Sequence, residues 1–135
     1  MSQVELHNLP DPGSLSDGGI RLELSHVNAA KPAEDKVASY VWKIFLCDSD
    51  EEVGGIRLRV GMNEVIERYG GHVAYHVLEQ YRGNGYAARA LKLLIPVAKL
   101  NRMNEILVTC APDNAASQKT IENAGGTFRV CNRAP

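Results

Sequence analysis

The chain has 135 residues with a formal net charge of −1, 44% apolar and 23% charged residues. That is the composition of one globular domain, and it argues against a disordered chain, a nucleic-acid surface or an anionic-membrane binder. No apolar run approaches the roughly 20 residues a bilayer span needs, and the start lacks the basic and apolar blocks of a signal peptide, so a cytoplasmic location is the default expectation.

Residues 1–19 are rich in Pro, Gly, Asp and Ser and read as a flexible leader; the single domain is expected over 20–135. "IRLELSH" (20–26) alternates apolar and polar residues, as a strand with one buried face does. "VNAAKPAEDKVAS" contains Pro32 and reads as a loop with at most a short helix. "YVWKIFLC" (40–47) is a stronger strand, and the acidic turn "DSDEE" leads into a third, "VGGIRLRVG", whose Gly54–Gly55 pair suits a bulge. "MNEVIERYGG" is too polar for a central strand and reads as one or two helical turns.

"HVAYHVL" forms the next strand. From Gly85 to about Lys99, Ala87, Ala90, Leu91, Leu94, Val97 and Ala98 recur at helical spacing, with Arg89 and Lys92 on the opposite face. Pro96 should bend or shorten that helix, because it removes a ladder donor. "EILVTCA" is nearly all apolar and reads as a central strand. "DNAASQKTIENAGG" is a helix capped by Asp113 or Asn114 and closed by glycines, and "TFRVC" is a last short strand. Antiparallel strands followed by two crossovers give an α/β or α+β fold, a mixed sheet with packed helices.

Cys47, Cys110 and Cys131 are widely spaced, and neither CxxC nor HExxH occurs, so no metal is expected. The chemistry-bearing stretch is "EQYRGNGYAARAL" (79–91), where a strand gives way to a helix through two glycines. A helix start leaves N–H groups unpaired, and with the positive end of the helix dipole these form a site for phosphate. Gly83 and Gly85 let backbone approach the anion, and Arg82 adds a charge-assisted partner. An ordinary βα turn is the plain alternative. "GNGYAA" also matches the dinucleotide pattern GxGxxA, with Glu105 downstream. Glu105 starts its strand rather than ending it, however, and the motif follows several antiparallel strands instead of opening a βαβ unit. The absence of Gly-Lys-Ser/Thr excludes a P-loop.

Arg82-Gly83-Asn84-Gly85-Tyr86-Ala87 fits the Q/R-x-x-G-x-G/A signature and resembles that of the GNAT acyltransferases. "YHVLEQYRGNGYAARAL" is similar to that family's fourth strand, pyrophosphate loop and third helix. "ILVTCAPDNAASQKTIENAGG" is similar to its fifth strand and fourth helix, and "GGHVAY" resembles the "GGHIGY" strand of bacterial members. The resemblance implies a mostly antiparallel sheet with a splayed gap between the family's fourth and fifth strands, helices on both faces and a final hairpin, which here stops short at Pro135.

It further implies acetyl-CoA as co-substrate and transfer of its acetyl group to a small-molecule or peptide amine. Backbone amides around Arg82, Gly83, Asn84, Gly85, Tyr86 and Ala87 would hold the pyrophosphate. The pantetheine arm would pair with Val77 and Leu78, and Asn114 and Ser117 would line the far side; Asn114 reads equally as a simple N-cap. The Val77 N–H would stabilise the developing oxyanion. The position where many relatives carry a tyrosine acid is Ile121, which leaves His72, Tyr75, His76 and Glu79 as acid/base candidates, with His72 and Tyr75 foremost. Glu67 and Arg57 could bind the acceptor or be solvated surface charges. Only Val27–Ser39 is available where relatives place two helices that wall the acceptor site. An open sheet edge would favour a homodimer. The competing function is a non-catalytic module that binds acetyl-CoA or CoA as a sensor or scaffold.

Overall fold

The computed structural model describes residues 4–63, 66, 71–110 and 128–132, the last two residues of the second long stretch and all of 128–132 as backbone only. Seven strands form one sheet in chain order: β1 (Leu15–Ser16), β2 (Ile20–Asn28), β3 (Ala38–Leu46), β4 (Glu52–Val60), β5 (Val73–Val77), β6 (Ile106–Cys110) and β7 (Phe128–Asn132). The first five pair antiparallel, while β5–β6 and β6–β7 are parallel. The one α-helix among the described residues, α1 (Tyr86–Leu100), makes the crossover from β5 to β6. The mixed, mostly antiparallel sheet is the expected fold class.

Alternation decides which side is the core. Tyr40, Trp42 and Ile44 of β3 sit opposite Leu58, Ile56 and Gly54 of β4, and together with Ile20 and Leu22 they make one buried face. Helix α1 covers it with Ala90, Leu91, Leu94, Val97 and Ala98. Burying each such Leu or Ile contributes about 1.5–3 kcal/mol. The other face carries Val41 and Lys43, Gly55 and Arg57, and Ala74 and His76, aligned by the same register. Ile106, Leu107 and Val108 are all buried, so β6 is enclosed on both faces, as its continuous apolar run predicts.

Several local expectations change in the folded chain. Residues 4–19 are packed rather than loose: Leu15 is buried, Val4, Leu6 and Leu9 lie against the core, and the Tyr40 hydroxyl donates to the Pro10 carbonyl at 2.6 Å. Polarity hid this, because the few apolar residues of the segment are spaced without a helical or strand period. Helix α1 runs through Pro96 to Leu100; Lys92 and Pro96 are exposed, so water can serve the carbonyl that lost its donor. Arg89 does not face open solvent but makes a two-pronged contact with Asp17, 2.7 Å for each nitrogen. Between β2 and β3 the chain forms only a 3-10 turn, Pro32–Glu34. Near Gly54 the β3–β4 register shifts as expected for a bulge, and a side chain at Gly54 would collide with the His76 carbonyl oxygen. The expected helix over 113–126 and most of 62–71 lie outside the described residues.

Candidate active site

Strand β5 is held differently on its two sides. Five residue pairs tie it to β4, from Leu58↔Val73 to Gly54↔Val77, but a single pair, Val73↔Val108, ties it to β6. The two parallel strands therefore part beyond Val73 and leave a slot, the splay expected between the family's fourth and fifth strands. The N–H of Leu78 bonds the Val53 carbonyl at 2.8 Å, and the His72 carbonyl accepts from the Arg59 N–H at 2.7 Å. Antiparallel alternation then turns the N–H and C=O of Tyr75 and Val77 away from β4 and towards the slot. The Leu78 carbonyl accepts from the Tyr81 N–H at 2.9 Å. The edge available for strand-like pairing thus covers Tyr75 and Val77, not the Val77–Leu78 pair expected from sequence, because Leu78 spends its amide on β4 and its carbonyl on the turn.

His72 pins the closed end of this slot. Its backbone N–H donates to the Leu107 carbonyl at 2.7 Å, and its Nδ1 accepts the Leu107 N–H at 3.0 Å. Nε2 stands 3.0 Å from the Gly61 carbonyl. Since Nδ1 accepts and a carbonyl can only accept, the ring is neutral with its proton on Nε2. It is 4% exposed, and its pKa is lowered, by burial above all and also by the Arg59 charge, against the raising effects of the Gly61 bond and the Glu105 charge. Both nitrogens are engaged in holding strands together. The Tyr75 hydroxyl is buried without a hydrogen-bond partner among the described residues, an arrangement that costs free energy unless a ligand completes it.

At the mouth of the slot, a 3-10 turn (Glu79–Tyr81) leads into the glycine loop. Gly83 and Gly85 have φ of +86° and +76°, the left-handed region that glycine occupies without strain. A Cβ at either would meet nothing within 4 Å, so the loop borders open space. The first helical bond of α1 runs from the Arg89 N–H to the Gly85 carbonyl at 3.1 Å, which leaves the N–H groups of Tyr86, Ala87 and Ala88 ahead of the ladder. No side chain caps this end and no acidic residue sits in the first turn. Its positive dipole end is uncompensated. Asn84 Nδ2 donates to the Tyr81 carbonyl at 2.9 Å and shapes the loop. Arg82 Nε donates to the Val77 carbonyl at 2.9 Å, which fastens the loop to the slot's lip and leaves the rest of the guanidinium exposed.

On the sheet face opposite α1, two cavities of about 490 Å³ each share Arg57. One lies over Gly55, Ala74 and His76. The other is walled by the 3-10 turn between β2 and β3 and by Asn63, whose Nδ2 donates to the Asp35 carbonyl at 2.8 Å. A side chain at Gly55 would press on the His76 ring, so the missing Cβ is what gives the imidazole its place. Asn114, Ser117, Ile121 and Glu67 lie outside the described residues. Among the described residues, no group of three His, Cys, Asp or Glu gathers as a metal site would need, and no helix is long and apolar enough to cross a membrane.

A family model described as an acetyltransferase (GNAT) domain matches residues 3–127. The chain belongs to the GNAT acetyltransferase family. No curated protein and no solved structure matches it significantly. The matched span includes residues 4–19, in keeping with their packing in the GNAT domain. Acetyl-CoA, the co-substrate usual in GNAT proteins, fits the residues present. Open backbone at Gly83 and Gly85, the uncapped start of α1 and the edge of β5 beyond Val73, which pairs with no described strand, are complementary to its phosphates and its extended arm. Arg57 and His76 were separate candidates in the sequence, one for binding the acceptor and one for acid/base work, and the register of β4 on β5 brings both to the edge of one cavity.

Proposed function

We propose that this GNAT domain is an acetyl-CoA-dependent N-acetyltransferase that moves an acetyl group to a primary amine. The reading is carried by the uncapped start of α1 and its loop, which Arg82 ties to the β5 end of a slot in the sheet. An anion-binding end and a strand-shaped groove suit a carrier with a diphosphate at one end and an amide-bearing arm at the other. The bound carrier supplies an activated acetyl thioester.

The chain's own residues divide the remaining work. Amides at the start of α1, with Arg82, hold the diphosphate. Tyr75 and Val77 present strand-edge groups to the arm. The Val77 N–H donates to the carbonyl oxygen on which negative charge develops. An amine must lose a proton to attack, and a free lysine amine has a pKa near ~10.4. His72 has no free nitrogen, so His76, whose ring borders the cavity over Gly55, is the proposed proton acceptor. The Tyr75 hydroxyl is the proposed donor to the departing sulfur.

Titration calorimetry with acetyl-CoA tests the assignment. Gly85→Asp should weaken binding roughly 10- to 100-fold while Gly85→Asn stays near wild type. Both residues tolerate a left-handed φ, but only the carboxylate repels phosphate at the helix start. Equal affinity in all three proteins, or no binding in wild type, would remove the assignment.

A further inference from the structure

The cations lining the two cavities differ in how they are neutralised. Lys31 and Lys36 approach Glu34 at 4.0 and 3.7 Å, and Lys43 approaches Glu52 at 3.8 Å. Arg59 donates to the Gly71 carbonyl at 3.2 Å and makes a further interaction. The Arg57 guanidinium alone makes no hydrogen bond or ion pair with a described residue, yet Arg57 is half-buried and borders both cavities. Arg59 sits two residues along the same face, near enough for the Arg57 charge to lower its pKa, second to burial. Two like charges, one without a counter-ion, are costly to keep half-buried unless an anion joins them.

The carrier's phosphates are the wrong anion for this place. Arg57 is paired with Ala74, so roughly 10 Å of strand lies between it and the end of β5 at Val77, ahead of the turn and the glycine loop. What adjoins it are the two cavities on the face opposite α1. Ala74 belongs to the slot's lip, and Arg57 stands one strand further in, about 4.8 Å away. A group held by Arg57 would leave its near neighbours over Ala74 and His76.

From this placement we infer that the acceptor is a small amino acid, an amine that carries its own carboxylate, with Arg57 as the carboxylate's receptor. The inference rests on the N-acetyltransferase reading and names its substrate class. The guanidinium fork matches a carboxylate in two parallel hydrogen bonds, and cavities of about 490 Å³ suit a small molecule. Arg57, Ala74 and His76 line the same cavity, and the carboxylate and amine of an α- or β-amino acid are only a few bonds apart, so anchoring at Arg57 keeps the amine in that cavity beside His76. In the transfer, the neutral amine nitrogen forms the new C–N bond and gives its proton to His76, the thioester C–S bond breaks, and the sulfur takes a proton from the Tyr75 hydroxyl and leaves as free CoA thiol.

The test measures release of CoA thiol from acetyl-CoA by the full chain. The panel contains the common α-amino acids, β-alanine, the matching amino-acid carboxamides, dipeptides, and polyamines. Wild type should acetylate one or more free amino acids and prefer each over its carboxamide by at least about tenfold. Arg57→Ala should lower kcat/KM for the amino acid roughly 10- to 100-fold, mostly through KM, erase the preference over the carboxamide and leave the KM for acetyl-CoA unchanged. Carboxamides or polyamines turned over as well as amino acids would overturn the inference, as would an Arg57→Ala loss that is equal for acid and amide. Preference for dipeptides would replace the small-molecule acceptor by a peptide end and overturn it too. Acetyl-CoA binding with no amino acid acetylated also counts against it. Failure to bind acetyl-CoA at all is a different result, which removes the underlying N-acetyltransferase reading.

Discussion

His72 shows how one side chain can do the work of a strand residue. With its backbone N–H and its Nδ1 it takes both polar groups of Leu107, while Nε2 donates to Gly61. Protonation of Nδ1 would put a donor against the Leu107 N–H and break the grip. Because the folded-state pKa is pushed below the ordinary 6.5 by burial, the unfolded chain binds this proton first. Stability contributed by the neutral ring is thus fully present above about pH 6.5 and is lost as the pH falls towards the folded-state value. Chemical denaturation between pH 8 and pH 5 should show this decline, and His72→Gln should flatten it while lowering stability at pH 8 by about 1–3 kcal/mol. A decline of equal steepness in the variant would show that other groups cause it. The sequence marked His72 as special, but a histidine beside an apolar strand fits a catalyst or a strut equally well; its two partners, from segments 11 and 35 residues away, are a tertiary matter.

At the scale of elements, α1 carries the clearest conflict between local and global demands. Its apolar spacing and the glycines at its start are legible in the sequence, and the helix follows them. Pro96 argues locally for a break, yet Leu94, Val97 and Ala98 on either side of it are buried against the sheet. Packing of two apolar turns outweighs one lost ladder bond, and the proline faces water. Restoring the donor should show the size of that compromise. Pro96→Ala is expected to stabilise the protein by about 1–2 kcal/mol, somewhat less than the ~3 kcal/mol propensity difference because proline also restrains the unfolded chain. The readout is a higher Tm with unchanged acetyl-CoA binding; a lower Tm would mean that the ring's own contacts matter more than the missing bond. The β5–β6 slot belongs to the same scale. "HVAYHV" and "EILVTC" each read as strands, but neither pattern says that they touch at one pair and then part.

For the molecule as a whole, the N-terminal segment joins the domain through Asp17. Its carboxylate accepts the N–H groups of Gly19 and Ile20 at 2.9 Å each and both prongs of Arg89, and the Arg89 bond above all lowers its pKa to about 2. A side chain at Gly19 would overlap the Arg89 guanidinium, so the close approach depends on that glycine. A depressed carboxylate pKa stabilises the fold above the unfolded value near 3.8 and loses the effect as the pH falls through about 2. Asp17→Asn should therefore cost about 1–2 kcal/mol at pH 7, after allowance for solvent screening at this partly exposed pair. The gap between variant and wild type should close between pH 4 and pH 2. A constant gap would assign the loss to geometry rather than charge.

Periodicity settled most of the architecture in advance, since alternation and helical spacing are local and survive in any chain with these residues. The glycine loop was legible for a similar reason: positive φ and an uncapped helix start are properties of a few consecutive residues. What tertiary structure alone decided are relations between distant segments. The packed N-terminal segment, the His72 pin, the single tie between β5 and β6, and an Arg57 with no side-chain partner among the described residues where two cavities meet all depend on register across the sheet, which one strand's sequence does not contain.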